Sequence, residues 1–540
     1  MNKFLPLIQI IFLSAVAASW QPFFKFVEAA DTRFVMNLGQ YVLEHGFPYV
    51  DPFTVHENLQ LVAQQWLSGV IFWEAYKNFG LDGLLIVDGI CAATLILIYW
   101  RLCLFVSGGN KILSFALSFI IGFLMASAIV PRPHILSTVL LLFEVFLMEK
   151  FTRTEDAKFL IPLPLLSIVL VNLHAAVWLM SLVVCLPFLF VKNFRHIKFL
   201  LAAMVGIALC GLINPYGVDA MTYVFRSYGI DEINSSIAEM HTPSAHGFSG
   251  KCFYAAEAFM IFSLARFKVP WRYIFLSGGI TFMAIMHGRN LILFYLLATF
   301  PLAYIWHNFS LEKFKLKRVP MMILCFLLIT ANTAVNTVLL KEGFDDLSLS
   351  LKILLFATII FILYILLLLK VEGRILHPTI LPRKNLSLLV TFIIASGIFI
   401  ASLNTNKTKL DETYSDAIKF LLRTERPENI SLYANQGIGG LAGSFGIKYY
   451  IDSRSEVFLP ANNGQKDIFK EYLDFSNGKI YYKDFFNRYD FTHIIVTSDE
   501  EAFLFSQLSD DKNFRVIYES EHVEGYEVIR CRIFVPSRKD

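Results

Sequence analysis

Thirteen apolar runs constrain this 540-residue chain more than any other feature of it. They fall near 4–20, 83–100, 112–130, 134–149, 159–173, 175–191, 198–213, 252–265, 272–286, 290–306, 319–340, 350–369 and 386–403. A helix needs about 20 predominantly apolar residues to cross a bilayer. With 56% hydrophobic and 15% aromatic residues overall, an ordinary soluble globule is excluded. The expected fold class is a polytopic α-helical membrane protein of about 13 spans. Runs 159–173 and 175–191 meet at Asn172-Leu173-His174 and read either as two spans or as one helical hairpin or re-entrant pair.

Charge placement orients the runs. With Lys3 on the cytoplasmic side, the same side receives Arg101 and Lys111; Lys150, Arg153 and Lys158; and Lys192, Arg195 and Lys198. Arg266, Lys268 and Arg272, then Lys313 to Arg318, then Lys370 to Lys384 follow the same alternation. The net charge of +3 is scattered among these connections and points to no nucleic acid. Lys3 and Ala15-Val16-Ala17 imitate a signal peptide, but the run reads as an uncleaved first span. Seven cysteines form no disulfide or zinc spacing.

The opposite, external side then collects five distant stretches. These are Asp31 to Trp66, Pro131-Arg132-Pro133-His134, Asn172-Leu173-His174, Asn214-Pro215-Tyr216-Gly217 with its loop to Lys251, and His287-Gly288-Arg289-Asn290. Everything after Leu403 lies there too, and from Asn404 the composition becomes that of a soluble domain. Strands are expected at 430–434, 448–451, 492–497, 514–519 and 527–535, with helices at 414–423, 468–475 and 500–508. The division is a transmembrane domain, 1–403, with an external loop at 21–82, and a C-terminal extracytoplasmic α/β domain, 404–540, of Rossmann-like layering.

Asp31 to Trp66 is polar and turn-rich although it sits between apolar runs. Phe34, Val35, Leu38, Val42 and Leu43 recur at helical spacing, so an amphipathic helix along the membrane surface is expected, stopped by Gly46. Pro48 and Asp51-Pro52 impose a turned path, after which 59–76 reads as a second surface helix. Asp31 would stand at the water-facing rim, either as a general base or as the N-cap of the helix that follows. Asp51 is a second candidate acid or an ordinary Asp-Pro turn.

The order Asp31, surface helix, Gly46-x-Pro48-x-x-Asp51-Pro52-Phe53-Thr54 and Trp66-Leu67 resembles the first external loop of bacterial GT-C superfamily glycosyltransferases. Asn172-Leu173-His174, Asn214-Pro215-Tyr216-Gly217, Glu239 and the C-terminal domain extend the likeness over nearly the whole chain. Val35 departs from the His often found there, and Thr32 follows Asp31 where many relatives carry an acidic pair. The resemblance implies that Asp31 is the catalytic base and that the donor is a polyprenyl-phosphate-linked sugar. The acceptor would be an envelope glycan, lipid or protein, and the setting the bacterial cytoplasmic (inner) membrane.

The remaining candidates have two readings each. Arg132, His134, His287 and Arg289 suit a phosphate leaving group, or are cationic anchors at the membrane edge. Asp51, Asn172, His174, Asn214 and Glu239 are candidate substrate contacts, against turn, packing or solvent-facing roles. His134 and His174 with Asp31 leave a divalent metal open as a cofactor, although no HExxH or paired-carboxylate spacing supports it. Asp88 and Glu144 lie inside apolar runs and keep a transporter in view, and a third reading is an assembly partner that recruits another envelope protein through the C-terminal domain. Asn435-Gln436-Gly437-Ile438-Gly439-Gly440 resembles a phosphate-binding turn but lacks a Walker lysine, so it reads as a tight strand-to-helix turn.

Overall fold

The computed structural model of the protein describes residues 5–23, 30–125, 128–191, 193–227, 237–245, 248–307, 410–524 and 527–537. Ten of the thirteen apolar runs fall largely among them, and their described residues are mainly helical. The runs at 319–340, 350–369 and 386–403 lie outside the described residues.

The helices are α1 (Leu5–Phe23), α2 (Ala30–His45), α3 (Trp66–Phe79), α4 (Leu81–Val106), α5 (Lys111–Met125), α6 (Pro133–Thr154), α7 (Pro162–Leu173), α8 (Ala175–Cys185) and α9 (Phe194–Cys210). Then come α10 (Phe248–Arg266), α11 (Trp271–Met286) and the mixed helical run α12 (Gly288–Ile305). Two of these, α4 and α12, are long and apolar enough by themselves to cross a membrane. Several others leave large apolar side chains uncovered: Leu165 and Val169 on α7, Val205 and Leu209 on α9, Phe259 and Phe262 on α10, Phe282 on α11. An apolar face of that extent is stable against lipid and not against water.

Connections separate into two groups. At one end Arg153 donates to the last carbonyls of α4, Phe105 (2.8 Å) and Val106 (2.7 Å), and buried Glu149 pairs with Arg272 at 3.0 Å. At the other, Thr32 Oγ1 donates to Pro131 O (2.7 Å), Ser68 to Leu173 O (2.7 Å) and Gly288 N to His241 O (2.9 Å). Among the described residues, basic connections such as those of Arg153 and Arg272 thus lie at one end, and the candidate stretches at the other.

Two expectations for the first loop change. The helix α2 is not laid on a surface: Phe34, Val35, Met36 and Leu38 are buried, and only its last turns are open, with Leu43 half exposed. It crosses α3 so closely that a Cβ on Gly39 would lie 2.0 Å from the Gly69 carbonyl carbon, so both positions require glycine. Its opposite side carries Asn37, which donates to Gly440 O (2.8 Å) and accepts from Ser444 Oγ (2.9 Å). The second helix starts at Trp66 rather than near residue 59. Residues 59–63 are extended, pairing with 49–51 through Asp51 N to Leu59 O (2.8 Å) and Leu61 N to Tyr49 O (3.0 Å).

The C-terminal residues form a five-stranded sheet: β1 (Ser431–Tyr433), β2 (Lys448–Tyr449), β3 (His493–Thr497), β4 (Phe514–Glu524) and β5 (Glu527–Pro536), in the order β2-β1-β3-β5-β4. Strands β2, β1 and β3 are parallel, whereas β5 runs antiparallel to β3 and β4. Rossmann-like layering therefore holds only for the parallel half. Helices α13 (Leu410–Thr424), α14 (Gln436–Gly443), α15 (Ile468–Ser476) and α16 (Ala502–Asp510) accompany it. The glycine-rich stretch is a tight turn, as expected: Asn435 caps α14 by accepting from Ile438 N. Gly439 and Gly443 let Ile451 and Asn37 approach.

The first loop completes this sheet. Thr54 bridges Tyr449 in parallel, with Val55 N donating to Tyr449 O (2.9 Å), so residues 53–55 cover the open edge of β2.

Candidate active site

Asp31 is the second residue of α2, inside its first turn, and so does not serve as the N-cap. Its Oδ2 lies 3.3 Å from Arg132 Nε, a charge contact without hydrogen-bond geometry. Arg132 sits where the chain enters α6, with Pro133 at the first helical position, and the Thr32 to Pro131 hydrogen bond docks α2 beside it. Its Nη1 donates to Glu239 Oε1 at 2.7 Å. One guanidinium thus joins two carboxylates 208 residues apart.

Glu239 stands in a short turn, Ala238–Met240, fastened to the connection between α11 and α12. His287 Nδ1 donates to Met240 O at 2.7 Å and Arg289 Nη1 approaches Met240 Sδ at 3.5 Å. The exposed Arg289 guanidinium is thereby brought into range of Glu239 and His174, whose proton affinities it acts on. Desolvation works against charge on Arg132, yet Asp31 and Glu239 outweigh it and raise its pKa. Burial likewise opposes ionisation of Glu239, but Arg132 and then Arg289 hold its carboxyl below the usual range.

Two histidines line the same end. His134, in the first turn of α6, bonds Ala128 O through Nε2 (3.2 Å). His174, at the break between α7 and α8, faces Ser137 Oγ through Nδ1 (3.2 Å). Among the described residues no group of three or more His, Cys, Asp or Glu is arranged to hold a metal ion.

Three candidates are engaged in holding the protein together. Both Asp51 oxygens are occupied: Oδ2 accepts from Thr54 N (3.0 Å) and Oγ1 (2.8 Å), and Oδ1 from Arg454 Nη1 (2.7 Å). With its side chain closed to solvent, Asp51 anchors the first loop to Arg454. Asn172 accepts from Trp66 Nε1 (2.9 Å) and donates to Ile168 O and Ile213 O. Asn214 closes its own turn by donating to Gly211 O and Gly217 O and accepting from Tyr216 N.

A further residue, not singled out in the sequence, joins the cluster. Glu456 follows Arg454 in a short turn after β2 (Ser455–Phe458), and its carboxyl accepts from Gln64 Nε2 at 3.0 Å. Burial pushes its pKa up, Asp31 adds to the rise, and Arg289 and Arg454 work against it. No sequence motif marks it, because the contact is made across 392 residues.

The fold is that of a polytopic membrane protein, and it is shared with solved structures of membrane proteins. The chain is similar to the crystal structures of ArnT from Cupriavidus metallidurans, bound to undecaprenyl phosphate (TM-score 0.50, 10% identity) and in the apo state (TM-score 0.53, 11% identity). In both, the match covers 98% of this chain and 97% of that one. The oligosaccharyltransferase of Archaeoglobus fulgidus in the apo form is a more distant likeness, with a TM-score of 0.46 and 12% identity over 90% of this chain and 69% of that one. No family model and no curated protein matches the sequence.

Proposed function

We propose that this protein is a membrane glycosyltransferase. It takes a sugar from a polyprenyl-phosphate-linked donor at the external leaflet of the bacterial cytoplasmic membrane and passes it to a hydroxyl or amine of a cell-envelope acceptor. The acceptor atom attacks the anomeric carbon, the bond from that carbon to the phosphate oxygen breaks, and polyprenyl phosphate leaves with the electron pair. Asp31 takes the acceptor's proton.

The observation that carries this reading is the Asp31–Arg132–Glu239 arrangement at the loop-bearing end of a GT-C fold. Arg132 holds Oδ2 nearby by charge, and Oδ1 makes no hydrogen bond among the described residues, which suits a base whose second oxygen faces the acceptor. A donor phosphate needs a cation. The exposed Arg289, with His287 and His134 beside it, is the cation proposed for that role. A guanidinium suits phosphate because it offers a planar fork of donors and stays charged. ArnT, which shares the fold, has been seen with undecaprenyl phosphate bound.

The test is release of undecaprenyl phosphate from undecaprenyl-phosphate-linked sugars by the purified, reconstituted protein. Asp31→Asn should lower it by at least about a hundredfold, the contribution of a general base, with the protein still inserted. A transporter of lipid-linked glycans or an assembly partner would release nothing.

A further inference from the structure

Among the described residues, the C-terminal unit approaches the Asp31 cluster at the turn carrying Glu456. Glu456 is held from two sides, at its backbone and at its carboxyl. Asn462 Nδ2 donates to the Glu456 carbonyl at 2.9 Å, tying the turn to its own unit, and Gln64 Nε2 donates to Oε1 at 3.0 Å.

Gln64 is itself unusually well fixed. Its backbone carbonyl accepts from Ala175 N (2.9 Å) and its side-chain carbonyl from Ala176 N (3.2 Å). It therefore satisfies two of the otherwise unpaired N–H groups at the start of α8 from a different part of the chain. The carboxyl of Glu456 is aimed through Gln64 at the helix start immediately after His174. Its other oxygen, Oε2, accepts no hydrogen bond from another residue among the described ones, and the group lies close enough to Asp31 and Arg289 for their charges to act on it.

We propose that Glu456 binds a hydroxyl of the transferred sugar through Oε2, so that the C-terminal unit supplies part of the donor site. This rests on the carrier-lipid reading above. The charges divide the site accordingly. Asp31, Glu239 and Glu456 repel a phosphate, which leaves it to Arg289, while a neutral polyhydroxyl group is what a half-buried carboxyl with a fixed orientation and an open acceptor oxygen can hold. Folding and substrate recognition are joined here, because Glu456 is placed by the same turn whose Arg454 pairs with Asp51.

Two probes separate the sugar contact from the phosphate contact: undecaprenyl phosphate alone, and undecaprenyl phosphate carrying glucose. Their binding to the full-length protein in nanodiscs is compared. The wild type should bind the glucosylated lipid more tightly by about tenfold, the value of one hydrogen bond to a charged group. Glu456→Ala should erase that preference and keep wild-type binding of the bare lipid, which also shows that it is folded. Glu456→Gln, which retains the Gln64 contact, should recover part of it. Arg289→Gln should weaken both lipids. If the wild type binds both lipids alike, if Glu456→Ala keeps the preference, or if it loses the bare lipid too, Glu456 does not hold the sugar although the carrier reading stands. If the wild type binds neither lipid, the carrier reading fails and this inference with it.

Discussion

Asp51 and Arg454 are 403 residues apart in the chain, and Arg454 Nη1 lies 2.7 Å from Asp51 Oδ1 with both side chains closed to solvent. Arg454 is also gripped by Asp452, at 2.8 Å, so one buried cation faces two buried anions. The two partners are therefore unequal in what their loss leaves behind. Asp51→Asn leaves Arg454 paired with Asp452 and should cost roughly 1–3 kcal/mol. Arg454→Leu strands two carboxylates and should cost about 3–5 kcal/mol or prevent accumulation. Unfolding midpoints in detergent measure both, and equal losses would show that Asp452 does not share the charge.

The same interface should respond to pH. His56 donates from Nε2 to Tyr450 O (2.8 Å), and burial lowers its pKa to about 4, partly offset by that hydrogen bond. A histidine whose folded pKa lies below its unfolded value of about 6.5 stabilises the fold fully above that pH. The contribution is lost as pH falls from there through the folded value of about 4. The loss should amount to about 3 kcal/mol. His56→Gln should flatten the stability profile between those limits. A profile unchanged by the substitution would place the titration elsewhere.

Sidedness follows from contact. Gln465 Nε2 donates to Glu57 O and Asn58 O, both at 2.9 Å, so the first loop and the C-terminal unit must share one side of the membrane. Single cysteines at the exposed Asn58 and Ala461 should both react with a membrane-impermeant reagent in intact cells. Labelling of only one, with matched accessibility in detergent, contradicts this arrangement.

The helical runs were legible because apolar length and composition are local properties, and the five strands because alternation and β-branched residues mark them. The loop at 59–65 was misread as helix, although its buried Leu59, Leu61 and Ala63 alternate with the exposed Gln60 and half-buried Val62 in the period of an extended chain. Asp31, Arg132, Glu239 and Arg289 were each visible as candidates. That Arg132 is shared between two carboxylates was not, because it depends on how two turns dock. Glu456, Arg454 and the edge strand at Thr54 depend on pairings over more than 390 residues, for which a single sequence carries no periodic signal.

The division of labour between the arginines can be measured. Arg289→Gln should weaken binding of undecaprenyl phosphate by roughly 1.5–3 kcal/mol, the value of a charge-assisted hydrogen bond. Arg132→Gln should chiefly lower the rate, because it releases Asp31 and Glu239 from their common partner. Wild-type lipid affinity in Arg289→Gln would move the phosphate elsewhere.

The last prediction concerns how α2 is set. At its crossing with α3, a methyl on Gly39 would stand 2.0 Å from Gly69 C, 2.2 Å from Gly69 O and 2.4 Å from Val70 N, all backbone atoms that cannot rotate away. Gly39→Ala must therefore push the helices apart, an overpacking that costs about 1–3 kcal/mol. Asp31 lies about 12 Å up the same helix. Tilting α2 displaces its carboxylate from Arg132 and strains the Asn37 contacts to Gly440 and Ser444. A displacement of this kind should reduce transfer by about a hundredfold while carrier binding at Arg289 survives. The matched control is Gly278→Ala on α11, where an added Cβ meets nothing within 4 Å. There the change should be neutral, or stabilise by up to about 1 kcal/mol through helix propensity. Equal behaviour of the two variants in thermal unfolding and turnover would mean that the α2–α3 crossing does not place Asp31.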